Sequence, residues 1–127
     1  NELYFTLMTT PFDEEKQNKQ LEDLHKEEEE QLVATLAEEK YGLPYVNLYR
    51  LGVDNEALRA ISEKESRELP VAPFKLFGKN IYIAVRSPSD ALLGKLKEDM
   101  LRKNLVPVFY MASGGSLNKV WDRYKAS

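Results

Sequence analysis

One histidine, no cysteine and a scatter of carboxylates are what this sequence offers to chemistry. His25 is the only imidazole, so a histidine-rich metal site is impossible. A His-based triad would have to form inside an acidic stretch, and a solvated helix-surface histidine is the simpler reading. The lack of cysteine removes thiolate zinc ligands, disulfides and cysteine nucleophiles together, and is compatible with a cytosolic protein. Glu27 to Glu30 is a run of carboxylates, but consecutive helical residues point around the whole cylinder, so these read as solvated rather than as a cation site. The Walker pattern G-x-x-x-x-G-K-[ST] occurs nowhere in the sequence, which excludes P-loop chemistry from it. Gly114-Gly115-Ser116, followed by Lys119, sits where a helix N-terminus attracts anions, yet a strand-to-helix turn with Ser116 as N-cap accounts for the same residues. Phe74, Lys75, Phe77, Lys79, Tyr82 and Arg86 interleave rings and cations as single-stranded RNA binders do, and an ordinary half-buried sheet produces that pattern too. The residues therefore nominate no catalytic residue, no metal ligand, no cofactor-binding residue and no cofactor.

The elements that must position these residues fit one domain with an arm. The chain has 127 residues, 43% of them apolar and 31% charged, enough for a globular core and too few for a multidomain enzyme. Its net charge of -3 is unevenly spread: Asp13 to Glu30 carries -6 and the remainder from Gln31 onward +4. That remainder is too weakly basic to demand a nucleic-acid partner, and none is expected. No apolar run approaches the roughly 20 residues of a membrane span, and no secretory signal is read at the start. Asn1 to Leu7 read as an added leader with Met8 as a native start. Residues 1–27 are expected to form a helical or flexible acidic arm, and 28–127 a folded domain.

From Asp13 to Tyr41 there is no Pro or Gly, and Leu21, Leu24, Leu32, Val33, Leu36 and Ala37 recur at helical spacing, predicting one long helix or two. Only the second half, through Leu32, Val33, Leu36 and Tyr41, carries a stripe that reads as docked. Gly42 is the expected C-cap and Pro44 the stop. Tyr45 to Leu48 reads as extended. Asp54 or Asn55 caps a short helix with Ala57, Leu58 and Ile61, and Ser62 with Glu65 forms a capping box for a second through Leu69. Runs 71–77 and 81–85, separated by Gly78-Lys79-Asn80, predict a hairpin with Pro73 at an edge or bulge. Ser87 to Asp90 starts an amphipathic helix ending near Asn104. A third strand, Val106 to Met111, and a last helix, Leu117 to Lys125, complete a β-β-α-β-α unit. The fold class is α+β, with an α/β-like order and a small three-stranded sheet. Leu117, Val120, Trp121 and Tyr124 share one face of the last helix, so Trp121 is expected to anchor it on the sheet.

Several of these segments resemble the N-terminal domain of the type II secretion and type IV pilus assembly ATPases, the GspE/PilB family, including its MshEN-like members. Leu32 to Glu38 and Tyr41-Gly42-Leu43-Pro44-Tyr45-Val46-Asn47-Leu48 resemble the family's "LAxxLAExYGLPFVDL". Asp54 to Ile61 is similar to "DPEALRLIP", with Ser62 in place of the proline, and Glu68 to Pro73 resembles the "RxxxVLPL" strand. Ile81 to Asp90 matches "LxVAMADPxD", with Arg86-Ser87 for Ala-Asp, and Val106 to Ser113 matches "VxPVLAS". The likeness is collinear from Glu28 to Ser127 and leaves out the acidic arm.

In that family this domain is not the motor. The resemblance implies a non-catalytic docking or regulatory module, working with a downstream ATPase core and with the cytoplasmic part of an inner-membrane platform protein. Such a module would be cytoplasmic and peripheral to the inner membrane through its partners. Two other readings stay open: a cyclic di-GMP sensor and an RNA-binding sheet. The sensor motif of some family members begins RLG, and Arg50-Leu51-Gly52 supplies that tripeptide. The motif then requires an apolar pair and a glycine. Here Asn55-Glu56 stands at the pair and no glycine follows until Gly78, so the tripeptide is expected to be a decoy. Arg50 and Arg86 keep the chemistry to stack on guanine and pair with phosphate.

Overall fold

The structure is a computed structural model that describes residues 11–126, with side chains for residues 14–125. The reading of Asn1 to Leu7 lies outside the described residues. The first element, α1 (Pro11–Leu36), is a single helix that runs unbroken across positions 27 and 28. It closes in a π-helical turn, Ala37–Tyr41, whose C-cap is Gly42 at φ 63°, as the glycine predicted. Widening the last turn lets the amides of Gly42 and Leu43 both reach the Ala37 carbonyl.

The body follows the predicted order: α2 (Asn55–Leu58), α3 (Glu63–Glu68), β1 (Val71–Phe77), β2 (Asn80–Val85), α4 (Asp90–Arg102), β3 (Val106–Met111) and α5 (Gly114–Asp122), then a 3-10 turn, Arg123–Ala126. Strand order is β1-β2-β3. β1 and β2 pair antiparallel through the two-residue turn Gly78-Lys79, where Gly78 takes φ 60°. The register slips between Pro73 and Lys75, so the proline sits at a bulge on an edge strand, both of the places where a missing N–H is tolerated. β2 and β3 run parallel through the α4 crossover. Beyond β3, Tyr45 adds a parallel bridge to Met111, with the Val46 amide donating to the Met111 carbonyl at 3.0 Å, so the segment read as extended does extend the sheet.

The caps show which local signals won. Ser62 accepts from the Glu65 amide and Ser89 from the Leu92 amide, as their positions predict. α4 ends with Asn104 at φ 62°. The Asn104 and Leu105 amides donate to the Leu101 and Met100 carbonyls, a Schellman closure that brings Leu105 onto the core beside Met100. Two readings need correction. Asp54 makes no side-chain cap. Its Oδ2 accepts from the Leu76 amide at 3.1 Å while its own amide donates to the Phe74 carbonyl, so Asp54 clips the free edge of β1. The last helix starts three residues earlier than expected, because Ser113 and not Ser116 is its N-cap: Ser113 Oγ accepts from the Ser116 amide at 3.1 Å.

The sheet lies between helices on both faces, because alternate strand residues feed two cores. Ile81, Ile83 and Val85 of β2 pack with Leu96 and Met100 of α4 and with Ala57, Ala60 and Ile61. Ala84 on the other face packs with Ala72, Phe74, Leu117, Val120 and Trp121. Trp121 is the expected anchor: it is 8% exposed, its Nε1 donates to the Val71 carbonyl at 2.9 Å, and Arg67 lies over its ring. The Tyr124 hydroxyl donates to the Ile61 carbonyl and contacts Ser66 Oγ, tying the chain's last turn to α3. Lys95 bridges Glu65 and Asp99, linking α3 and α4 across the surface.

Candidate functional site

An open cavity of about 660 Å³ lies between the middle of α1 and the segment after Pro44, lined by Asp23, Lys26, Glu27, Glu30, Tyr45, Tyr49 and Arg50 among others. Its floor corrects the reading of Glu27 to Glu30 as uniformly solvated. Glu30 is only 8% exposed, and Tyr45 donates its hydroxyl to Glu30 Oε1 at 2.5 Å. The other oxygen, Oε2, is buried without a hydrogen-bond partner among the described residues. Glu28 remains exposed, whereas Glu29 Oε1 faces the Gly115 amide at 3.5 Å. The run does point around the cylinder, and the body covers the side that carries Glu30.

The same contact decides the docked face of α1. Leu32, expected on it, is 61% exposed, while Val33, Ala34 and Leu36 are half-buried and Ala37 is buried. With few apolar side chains to bury, the helix is seated by a charged hydrogen bond and by Lys26 over the Tyr49 ring, 5.3 Å from its centroid. Tyr45 has its pKa raised, first by burial and then by its bond to Glu30 and the negative charge there. Burial followed by Glu29 and Glu30 raises that of Tyr49. Both are therefore neutral phenols at physiological pH, donors and ring faces rather than bases.

Behind Tyr49, the Gly114-Gly115 pair has a steric role. A Cβ on Gly115 would lie 2.3 Å from the Tyr49 hydroxyl, and one on Gly114 would lie 2.9 Å from Arg86 Nε. The two glycines let a ring and a guanidinium approach the first turn of α5. Lys119 does not turn back toward that N-terminus; its Nζ donates to the Tyr49 carbonyl at 2.7 Å. Arg50, Leu51 and Gly52 are all exposed, and Arg50 lines the cavity. His25 is exposed on α1.

The aromatic and basic residues of the hairpin divide between surface and core. Phe74 is buried and packs edge-on to Tyr110 with ring centroids 5.6 Å apart, Tyr82 lies 6.2 Å from Phe74, and Phe77 is exposed. Lys75 lies over Tyr82. Among the described residues no group of three or more His, Asp or Glu is placed to hold a metal ion, and no helix is long and apolar enough to cross a membrane. Glu30, Tyr45 and Tyr49 are the residues that sequence reading missed as a site. Their signal was present only as two tyrosines, three and seven residues past Gly42, and a carboxylate on the side of α1 opposite Leu21.

No family model and no curated protein sequence matches the chain. Among solved structures it is similar to MshE with cdg, cyclic di-GMP, at 27% identity and a TM-score of 0.64 over 74% of this chain. The chain spans 66% of the length of that MshE chain. It is also similar to the N-terminal domain of XpsE, at 14% identity and a TM-score of 0.59, covering 96% of this chain and 90% of that one, a likeness of fold. With the motif order carried by the sequence, these likenesses support a GspE/PilB-type N-terminal domain.

Proposed function

We propose that this chain is a non-catalytic docking and regulatory domain of a type II secretion or type IV pilus assembly ATPase. It recruits the motor to the cytoplasmic part of an inner-membrane platform protein, and so works in the cytoplasm, peripheral to that membrane. The observation that carries the reading is the fold shared with the XpsE N-terminal domain across 96% of the chain, joined to a sequence without a phosphate cradle. The test is titration of this chain with the cytoplasmic region of an inner-membrane platform protein of a type II secretion or type IV pilus system from the same organism. Saturable one-to-one binding is the expected result, and no binding at about 100 μM of either partner overturns it. Purified chain should also hydrolyse no ATP; turnover that survives a contamination control would count against a non-catalytic role.

A second reading, cyclic di-GMP sensing, draws on one observation: the MshE structure holds that ligand. Arg50 on the cavity rim supplies a guanidinium for guanine or phosphate. Against it stand Asp23, Glu27 and Glu30 in the same lining, whose charge opposes a ligand with two phosphates. We expect no binding in a calorimetric titration; a dissociation constant near or below about 1 μM would promote the sensor over the docking module.

A further inference from the structure

The large apolar side chains left exposed fall chiefly into two patches. On α1, Leu21, Leu24 and Leu32 are 53%, 48% and 61% exposed. At 3.6 residues per turn they occupy one side of the helix, in line with Glu14 and Glu28. Lys16, Lys19 and Lys26 fall on the opposite side. The helix therefore sets an apolar stripe, with Glu14 and Glu28 in line with it and Gln17, Asn18 and His25 beside it, against a far face that holds its lysines.

The second patch is the hairpin end of the sheet face on which α5 packs. α5 covers the end marked by Ala72, Ala84 and Leu117. Along the uncovered end the rungs read Phe77, Asn80, Val106 and then Lys75, Tyr82, Val108. Phe77 and Val106 are 70% and 48% exposed, and Tyr82, Val108 and Tyr110 are half-buried. Its charged residues are Lys75, over the Tyr82 ring, and Lys79 in the turn; these rungs carry no carboxylate.

We propose that the leucine stripe of α1 from one copy of this chain docks on the hairpin end of this sheet face in a second copy, with Glu14 and Glu28 set against Lys75 and Lys79. A helix on a sheet face is the packing that the same sheet already uses with α5. Charge complementarity selects the occupant, since Asp13 to Glu30 carries -6 and the chain from Gln31 onward +4. Among the described residues both halves are unpartnered within one molecule, for Leu21 and Leu24 touch no core and Phe77 stands at the tip of a hairpin. The contact is small and edged by exposed charge, so the association is weak and sensitive to salt. This inference is independent of the platform-protein reading.

The experiment uses the whole chain. Sedimentation velocity at low ionic strength should show self-association that weakens at least about tenfold at 1 M salt, where the screening length falls to about 3 Å. Glu28→Lys should weaken it similarly, and the double variant Glu28→Lys with Lys79→Glu should restore it, a rescue that a folding defect would not give. Because the chain has no cysteine, Leu24→Cys and Phe77→Cys report on the contact directly. An equimolar mixture of the two variants should cross-link under mild oxidation faster than either variant alone. A monomer at every concentration up to about 1 mM, cross-linking no faster in the mixture, or charge reversals without effect would each overturn the proposal.

Discussion

The sheet body and helix α1 are held by different physics. The body buries two apolar layers on either side of three strands, and Trp121, Leu117, Ile83 and Leu96 are almost or wholly removed from water. α1 is longer than any other helix described, yet from Leu21 through Glu29 every residue is exposed, and its seat depends on Glu30 with Tyr45 and on Lys26 with Tyr49. Area burial is non-directional and tolerant of sequence. A buried carboxylate is neither: it fixes one rotation of the helix and leaves an oxygen without a partner among the described residues. The lesson is that a polar helix can be positioned precisely enough to shape a cavity while contributing little to the stability of what it touches.

The largest expected break lies in the body. Trp121→Ala removes a buried ring and the bond to the Val71 carbonyl, and should cost about 3 to 5 kcal/mol in denaturant unfolding. A loss under about 1 kcal/mol would mean the ring belongs to a contact outside this chain. Next comes the seat of α1. Tyr45→Phe leaves Glu30 buried with neither oxygen bonded and should cost about 1 to 3 kcal/mol. Adding Glu30→Leu should recover most of it, and a double-mutant cycle with no coupling would show that the pair does not seat the helix.

The same tyrosine predicts a pH dependence that sharpens the comparison. Burial, and then the bond to Glu30, hold the Tyr45 phenol above its ordinary range, so the folded protein keeps a proton that the unfolded chain releases near pH 10. Its contribution is therefore fully present below about pH 10 and is lost as pH rises beyond it. Melting curves followed from pH 8 to 11 should fall more steeply for the native chain than for Tyr45→Phe; parallel curves would contradict the assignment. The smallest effect is expected from the arm itself. Deleting residues 1–26 should leave a cooperative melt, and Leu21→Gln should change stability by less than about 0.5 kcal/mol. Loss of the cooperative transition on truncation would place α1 in the same folding unit as the sheet.

Much of the body was legible residue by residue. Gly42, Ser62 and Ser89 cap where their types and spacings say they should, because a cap is a contact within three or four residues. Gly78 turns the hairpin for the same local reason. Pro73 could be assigned to an edge or bulge because it lacks an N–H, whichever strand lay beside it. Ser113 and Ser116 show the limit: both precede helical residues, and only the path of the chain out of β3 decides which hydroxyl meets a free amide. Asp54 is similar, since its carboxylate was drawn from its own helix to the open edge of β1.

The sequence by itself determined that α1 is a helix, that its lysines lie opposite Leu21, Leu24 and Leu32, and that the strands alternate between two faces, since these follow from backbone periodicity alone. Only the tertiary structure decided which side of α1 meets the body. A stripe of leucines would ordinarily be the buried side, but the docking surface offered by Tyr45 and Tyr49 presents hydroxyls and rings, and it selects Glu30 and Lys26 over Leu21 and Leu32. That choice depends on residues separated by 15 positions or more in the chain and brought together by the bridge to β3, a juxtaposition that no local periodicity encodes.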